Sequence, residues 1–287
     1  MPPARHVPEL PAAGAPVSVL VDYDGTISRR DIGDLLLRRH VADADALSAL
    51  DVAYDAGTLG SADLMRRDMD LLPDPADVLV PEAAAVPQDP GIVALADVVV
   101  RNGAAIEVVS DGLGFYVGDN LARIGLGWIP VATNTNELRG GGAGMAYPYT
   151  HPACGWCGTC KRERVRAHAS AGAGRIVLLV GDGTSDRYAA HHADVVLATG
   201  ALAAWCARSG IPAVRWTELD EVAGWVAAAF ADGRLPRDAA DVPAARARLR
   251  SGTPARPSFI CGPEAWGDGR PPTGDRARGD AASTQRD

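Results

Sequence analysis

Residues 17–29, VSVLVDYDGTISR, constrain this chain more than any other stretch. The run from Val17 to Val21 is short and mostly β-branched, which suits a buried strand covered on both faces. Asp22 and Asp24 follow two residues apart, so both leave the strand end on the same side, and Gly25 permits a sharp turn there. Two crowded carboxylates are costly unless a cation or a proton lies between them. In open α/β sheets the carboxyl ends of strands are also where ligands bind. Taken alone, DYDG has a blander reading as an Asp-rich turn.

Three later stretches extend the pattern. VVSDG, residues 108–112, is an apolar run ending in a hydroxyl, an acid and a glycine. Lys161 opens a helical segment, and IVLLVGDGTSD, residues 176–186, is a second apolar run that ends in Asp182 and Asp186. Short apolar runs alternate with helical periods from there to about residue 230, which implies a parallel sheet with helices on both faces. Strands are expected at 104–109, 128–132, 175–180, 194–198 and 213–215. Helices are expected at 89–103, 114–126, 161–171, 184–192, 201–209 and 218–230, the first of them capped by Asp89 with Pro90 at its first position. Residues 133–149 are Gly-rich and aperiodic and read as a loop or short hairpin.

Between the first strand and Asp89 the pattern is helical. The spacing predicts helices over 31–40, 42–50 and 61–72, the last with Ser61 as N-cap, before Pro73, Pro75, Pro81 and Pro87 break the period. The expected organisation is therefore a flexible tail over 1–16, a core over 17–29 and 89–232, a helical cap over 30–88, and a mostly disordered tail over 233–287. Within that tail residues 244–249 form a short basic helix, and Phe259, Ile260 and Trp266 are apolar residues in a Pro/Gly/Arg/Asp-rich stretch.

Charge and cysteine content narrow the function. The net charge of −8 disfavours a nucleic-acid partner and would repel phosphorylated metabolites at long range, so attraction needs a local cation. No apolar run approaches the ~18 residues that span a bilayer. The N-terminus lacks the apolar centre of a signal peptide, and five cysteines are an odd number for a disulfide framework. A cytoplasmic protein without a membrane partner is expected, of unassigned oligomeric state.

Acid pair, Ser, Lys and acid pair, in that order over about residues 17–225, resemble the four motifs of the haloacid dehalogenase-like (HAD) phosphatase superfamily. The position of the helical insert resembles the subgroup that includes phosphoserine phosphatase. The resemblance implies a doubly wound Rossmannoid α/β core with a cap after the first strand, and an enzyme that hydrolyses phosphomonoesters. Asp22 would be the nucleophile and form an aspartyl-phosphate, with Asp24 as general acid and then base. Asp182 would hold Mg²⁺ together with Asp22 and the carbonyl of Asp24, and Asp186 would orient that shell from behind. Ser110, the backbone N–H of Asp111 or Gly112, and Lys161 would bind the phosphoryl oxygens. Asp31 would either contact substrate from the cap or serve its helix as an N-terminal acid.

HPACGWCGTCK, residues 151–161, places His151, Cys154, Cys157 and Cys160 three residues apart, a set able to hold structural Zn²⁺ or to be thiols in a turn. His168, His191 and His192 and the tryptophans have no partner pattern and read as packing or surface groups. This His/Cys segment running into CK, with SDG followed closely by Phe115 and Tyr116, resembles one branch of the superfamily. That branch holds 2-hydroxy-3-keto-5-methylthiopentenyl-1-phosphate phosphatase and the phosphoethanolamine/phosphocholine phosphatases. Ser185 stands where phosphoserine phosphatases carry Asn, which turns the expectation away from phosphoserine. The expected substrate is a small phosphorylated metabolite. The alternatives are a phosphoserine phosphatase or phosphotransferase of the same fold and, in another class, a catalytically silent binding or regulatory protein.

Overall fold

The computed structural model describes residues 14–72, 76–137, 144–151 and 154–251. In chain order these form β1 (Val17–Val21), α1 (Ile32–His40), α2 (Ala44–Asp55), α3 (Ser61–Leu71), α4 (Ala76–Ala85), α5 (Gly91–Arg101), β2 (Ala105–Val109) and α6 (Val117–Arg123). There follow β3 (Val131–Ala132), β4 (Thr135–Glu137), β5 (Gly144–Ala146), α7 (Lys161–Ser170), β6 (Ile176–Gly181) and α8 (Arg187–Ala190). The last are β7 (Val195–Ala198), α9 (Gly200–Arg208), β8 (Ala213–Arg215), α10 (Leu219–Ala231) and α11 (Val242–Leu249). No helix among the described residues is long and apolar enough to cross a membrane.

The sheet is fully parallel, in the order β3-β2-β1-β6-β7-β8. Every residue of β1, β2 and β6 is buried, as expected for strands with helices on both faces. The chain winds outward from β1 through β2 to β3, then returns to the other side of β1 with β6. Winding therefore reverses between β1 and β6, which opens a crevice at their carboxyl ends. The Asp22 N–H donates to the Val180 carbonyl at 2.9 Å and fixes the register of those two ends. The expected doubly wound α/β sheet is observed, and β4 and β5 form a small antiparallel hairpin in the Gly-rich stretch.

Four helices, α1 to α4, lie in sequence between β1 and α5. Asp31 is the N-cap of α1, and its carboxylate accepts the Asp34 N–H at 2.9 Å. Ser61 is not a cap. Gly60 precedes α3, and the Ser61 hydroxyl is engaged elsewhere. The prolines do not end the helical pattern either. Pro81 lies on the exposed side of α4, where burial of Leu79 and Ala83 offsets the lost backbone bond. Asp89, two residues before α5, accepts the N–H of its first residue, Gly91, at 2.9 Å.

Residues 234–251 are more ordered than a mostly disordered tail, and the short basic helix expected at 244–249 is observed as α11. Leu235, Val242 and Ala245 are buried, and α11 docks behind the sheet, where Arg246 pairs with Asp194 at 3.1 Å and also donates to the Arg175 carbonyl. A buried carboxylate at the start of β7 needed cations, and this basic helix supplies them. The remainder of that expected tail, 252–287 with Phe259, Ile260 and Trp266, and residues 1–13 of the N-terminal tail lie outside the described residues. So do Pro73 and Pro75.

Candidate active site at the ends of β1 and β6

Asp22 is the first residue past β1 and is buried. Its Oδ1 lies 2.6 Å from Lys161 Nζ, which is itself 2.8 Å from Asp186 Oδ1. Lys161 is the first residue of α7 and is also buried. Asp182, just beyond β6, completes the group: one carboxylate oxygen each from Asp22, Asp182 and Asp186 lies within 4.8 Å of the others. Thr26 Oγ1 donates to Asp182 Oδ1 at 3.0 Å, and Asp186 Oδ2 accepts the Gly183 N–H at 3.1 Å. Gly25 has φ +75°, and a Cβ there would collide with the Asp182 carboxylate. Only glycine lets the two strand ends approach so closely.

The charges do not balance. Burial and then the neighbouring Asp186 charge push the Asp22 carboxyl well up, with Lys161 opposing them. Burial and Asp186 likewise raise Asp182 to about 6, against the Thr26 hydrogen bond. Burial alone would lower Lys161, but Asp186 and Asp22 outweigh it and keep the ammonium charged. Three carboxylates around one ammonium leave an excess of two negative charges, which a divalent cation with oxygen ligands would neutralise. The donor set therefore fits Mg²⁺.

Asp24 is turned away from that group. Its Oδ1 accepts the Ile32 N–H at 3.0 Å and its Oδ2 accepts the Tyr116 hydroxyl at 2.8 Å, so only its carbonyl is left to join the acid cluster. Burial, then the charge of Asp31, raise its carboxyl to about 8. A Cβ on Gly112 would strike the Asp24 carboxylate, which explains glycine at that position. Ser110 is fully buried, and its Oγ accepts the Gly112 N–H at 3.2 Å, which leaves the hydroxyl proton available to another acceptor.

Asp111 has a use that its motif did not suggest. Its Oδ2 accepts the Ser61 hydroxyl at 2.5 Å, and its Oδ1 accepts the Thr159 N–H at 2.6 Å and the Asn134 amide at 3.4 Å. The carboxylate thus ties α3 and the segment leading to Lys161 onto the end of β2. The same seam includes Gly158 N–H to Ser61 Oγ at 3.2 Å and the Tyr147 hydroxyl to the Ala62 carbonyl at 2.5 Å. Ser61, Asn134, Thr159 and Tyr116 were all missed as members of this region. Tyr116 alone had a signal, its place shortly after SDG.

His151, Cys154, Cys157 and Cys160 do not converge on a zinc site. Among the described residues, the side chains that meet at ligand spacing are the three aspartates. The segment folds back on itself instead. The Cys154 and Gly155 N–H groups donate to the His151 carbonyl, and Cys154 Sγ accepts the Trp156 N–H at 3.4 Å. Cys160 is buried at the entrance to α7, with its N–H on the Tyr149 carbonyl, while His151 and Cys154 are half-buried. His168 is a core residue rather than a surface one: its Nε2 lies 2.6 Å from Glu107 Oε2, beside Arg164 at 2.5 Å from Oε1.

No family model and no curated protein matches the sequence. Solved structures do match. A phosphoserine phosphatase carrying a phospho-aspartyl intermediate analogue aligns at TM-score 0.56 and 16% identity, over 74% of this chain and 99% of that one. A HAD family hydrolase of Salmonella enterica serovar Typhi aligns at 0.57 and 18%, over 73% and 70%. The phosphoserine phosphatase of T. onnurineus aligns at 0.56 and 15%, over 76% and 98%. At such identities the likeness speaks for architecture: this chain has the fold of the phosphoserine phosphatases and HAD family hydrolases.

Proposed function

We propose that the chain is a Mg²⁺-dependent phosphatase that hydrolyses a small phosphomonoester through an aspartyl-phosphate on Asp22. The observation that carries this reading is the Asp22–Lys161–Asp186 chain, at 2.6 and 2.8 Å, with Asp182 beside it at the β1/β6 crevice. Asp22, Asp182 and the Asp24 carbonyl would hold the metal, which supplies charge neutralisation at the phosphoryl oxygens. Asp186 already gives one oxygen to Lys161 and the other to Gly183, which suits it to orienting the shell.

In the first half-reaction an Asp22 oxygen attacks phosphorus. The P–O bond to the alcohol breaks, and Asp24 gives its proton to the departing oxygen. In the second, Asp24 takes a proton from water. The water oxygen attacks phosphorus, the bond to Asp22 breaks, and inorganic phosphate leaves with both carboxyl groups restored. A carboxyl raised to about 8 holds a proton at neutral pH, and the Tyr116 and Ile32 donors fix its orientation. Ser110 and Lys161 would bind the phosphoryl oxygens, as would the backbone N–H of Asp111. The Gly112 N–H is turned to Ser110 and acts through that hydroxyl. The reading extends to the branch that acts on small metabolites, with α1 to α4 as the cap.

Hydrolysis of p-nitrophenyl phosphate by purified protein tests the proposal. Turnover with Mg²⁺ that stops with chelator is expected. A folded protein that releases no nitrophenol at any Mg²⁺ concentration would favour the silent binding protein instead.

A further inference from the structure

Two tyrosines pack together beside Asp24, and their hydroxyls go to different partners. The Tyr23 and Tyr116 ring centroids are 5.9 Å apart, and both side chains are buried. Tyr23 donates to Gln88 Oε1 at 2.8 Å, which joins the end of β1 to the segment before α5. Tyr116, at the entrance to α6, donates instead to Asp24 Oδ2 at 2.8 Å. Its ring is 2% exposed and meets Phe115 edge-on at 5.0 Å, so the phenol has little freedom to turn. A phenylalanine would fill the same space. The hydroxyl is therefore the part of this residue that packing does not explain.

That hydroxyl reaches the site itself. A Cβ on Gly112, besides striking the Asp24 carboxylate, would lie 3.1 Å from the Tyr116 hydroxyl and 3.3 Å from Ser110 Oγ. Acid, phenol and serine thus converge on one bare Cα. On the opposite side, a Cβ on Gly33 in α1 would lie 3.7 Å from the same hydroxyl and 3.4 Å from Asp31 Oδ1. The other oxygen of Asp24 accepts the N–H of Ile32, the first residue of α1, where a helix leaves its N–H groups without partners. One donor from the start of α1 and one from the start of α6 therefore grip the carboxyl.

Both donors favour the charged form of the group that they hold. A hydrogen bond to an ionised oxygen is about twice as strong as one to a neutral oxygen, so both bonds strengthen as the proton departs. Such a gain is made in the transition state and not in the resting enzyme. We propose that Tyr116 is a positioning residue for proton transfer from Asp24: its hydroxyl fixes Oδ2 and stabilises the charge that appears on the carboxyl as the leaving oxygen is protonated. The proposal rests on the phosphatase reading above and deepens it. It fits the site to esters of alkyl alcohols, whose oxygen needs a proton to depart, rather than to esters of acidic hydroxyls.

The test is kcat/KM, which reports the first half-reaction alone, for p-nitrophenyl, phenyl and benzyl phosphate, assayed with Mg²⁺. The basicity of the leaving oxygen rises along that series. Tyr116→Phe is expected to lose at least tenfold on benzyl phosphate, less on phenyl phosphate, and under threefold on p-nitrophenyl phosphate, as expected for one hydrogen bond to a developing charge. Tyr23→Phe removes the neighbouring hydroxyl and should change all three alike. In an Asp24→Asn background there is no proton to give, so adding Tyr116→Phe should cost phenyl phosphate nothing further. Circular dichroism checks that each variant is folded. Equal losses on the three esters in folded Tyr116→Phe, or a further graded loss in the Asp24→Asn background, overturn the proposal. A wild type that hydrolyses none of the three is the separate failure of the phosphatase reading.

Discussion

Helix α7 buries two charge clusters along one face, and they differ in a way that separates chemistry from scaffolding. Lys161, Arg164, Val165 and His168 are all buried, at the i, i+3, i+4, i+7 spacing of a single stripe. At the first of these positions one ammonium meets two carboxylates, Asp22 and Asp186, with a third, Asp182, beside them at the sheet's carboxyl end. At the others, a guanidinium and an imidazole close on the single carboxylate of Glu107, in the middle of β2. Both clusters are buried, so burial does not distinguish them. Charge balance does: the Glu107 carboxylate meets its countercharge in Arg164, whereas the Asp22 cluster carries an excess of negative charge that a divalent cation would neutralise.

The sharpest way to break this comparison is Asp22→Asn. An amide cannot form the acyl phosphate, so turnover of p-nitrophenyl phosphate should fall by about 10⁴, or ~5 kcal/mol of barrier. The melting temperature should hold or rise, because one of three crowded negative charges is gone and Lys161 keeps Asp186. Activity within tenfold of wild type would sink the nucleophile assignment. Glu107→Gln should do the reverse. It leaves Arg164 and His168 facing an amide in the interior and should cost about 3–5 kcal/mol in urea unfolding, with the folded enzyme still turning over. Equal stability losses in the two variants would end the distinction between the clusters.

A third test moves to α3. Asp68 is 5% exposed, its Oδ1 has no hydrogen-bond partner, and burial followed by the charges of Asp51, Asp31 and Asp34 raises it to about 7. Its unfolded pKa is about 4, so between the two values the folded state binds the extra proton. Stability from this group is therefore full below about pH 4, declines as pH rises, and is lost above about 7. Asp68→Asn cannot titrate and should be more stable than wild type at pH 8 by on the order of 2 kcal/mol, with no such gain at pH 4. Melting temperatures that differ by the same amount at both pH values would contradict this. The smallest effect is expected from Asp31→Ala, which removes the cap on the Asp34 N–H and should cost about 1 kcal/mol. Its activity should drop alike for amine-bearing esters and for p-nitrophenyl phosphate. A selective loss on the amine would make Asp31 a substrate contact.

The strand-end residues were legible in the sequence because each motif is local. Residues 17–26 contain a strand, its two acids and the turn, and residues 176–186 repeat that arrangement. The seam was not legible, because Ser61 and Asp111 are 50 residues apart and nothing in either neighbourhood names the other. Helix α4 was hidden by Pro81, whose intrinsic penalty was read without the burial of Leu79 that offsets it. Helix α11 was legible as a short basic helix at 244–249, but its docking was not, because nothing near it in sequence names the buried Asp194 that Arg246 meets. The cysteine stretch has ligand spacing in sequence, but among the described residues the side chains that meet at ligand spacing are three aspartates.

The seam also has a consequence in time. Asp22, Ser110 and Lys161 are all at most 5% exposed, and α3 is tied to the end of β2 beside them, so we consider the case in which substrate enters by the lifting of α3. Lifting breaks the Ser61–Asp111, Gly158–Ser61 and Tyr147–Ala62 bonds together. At about 1 kcal/mol net for each, the unlatched form would be on the order of one molecule in a hundred. The admission of substrate would then be slowed by that factor relative to free diffusion into an open crevice, and the same latch would lengthen the dwell of whatever is inside. Thr159 hangs from the same Asp111 carboxylate two residues before Lys161, so one side chain holds both the latch and the approach to the lysine.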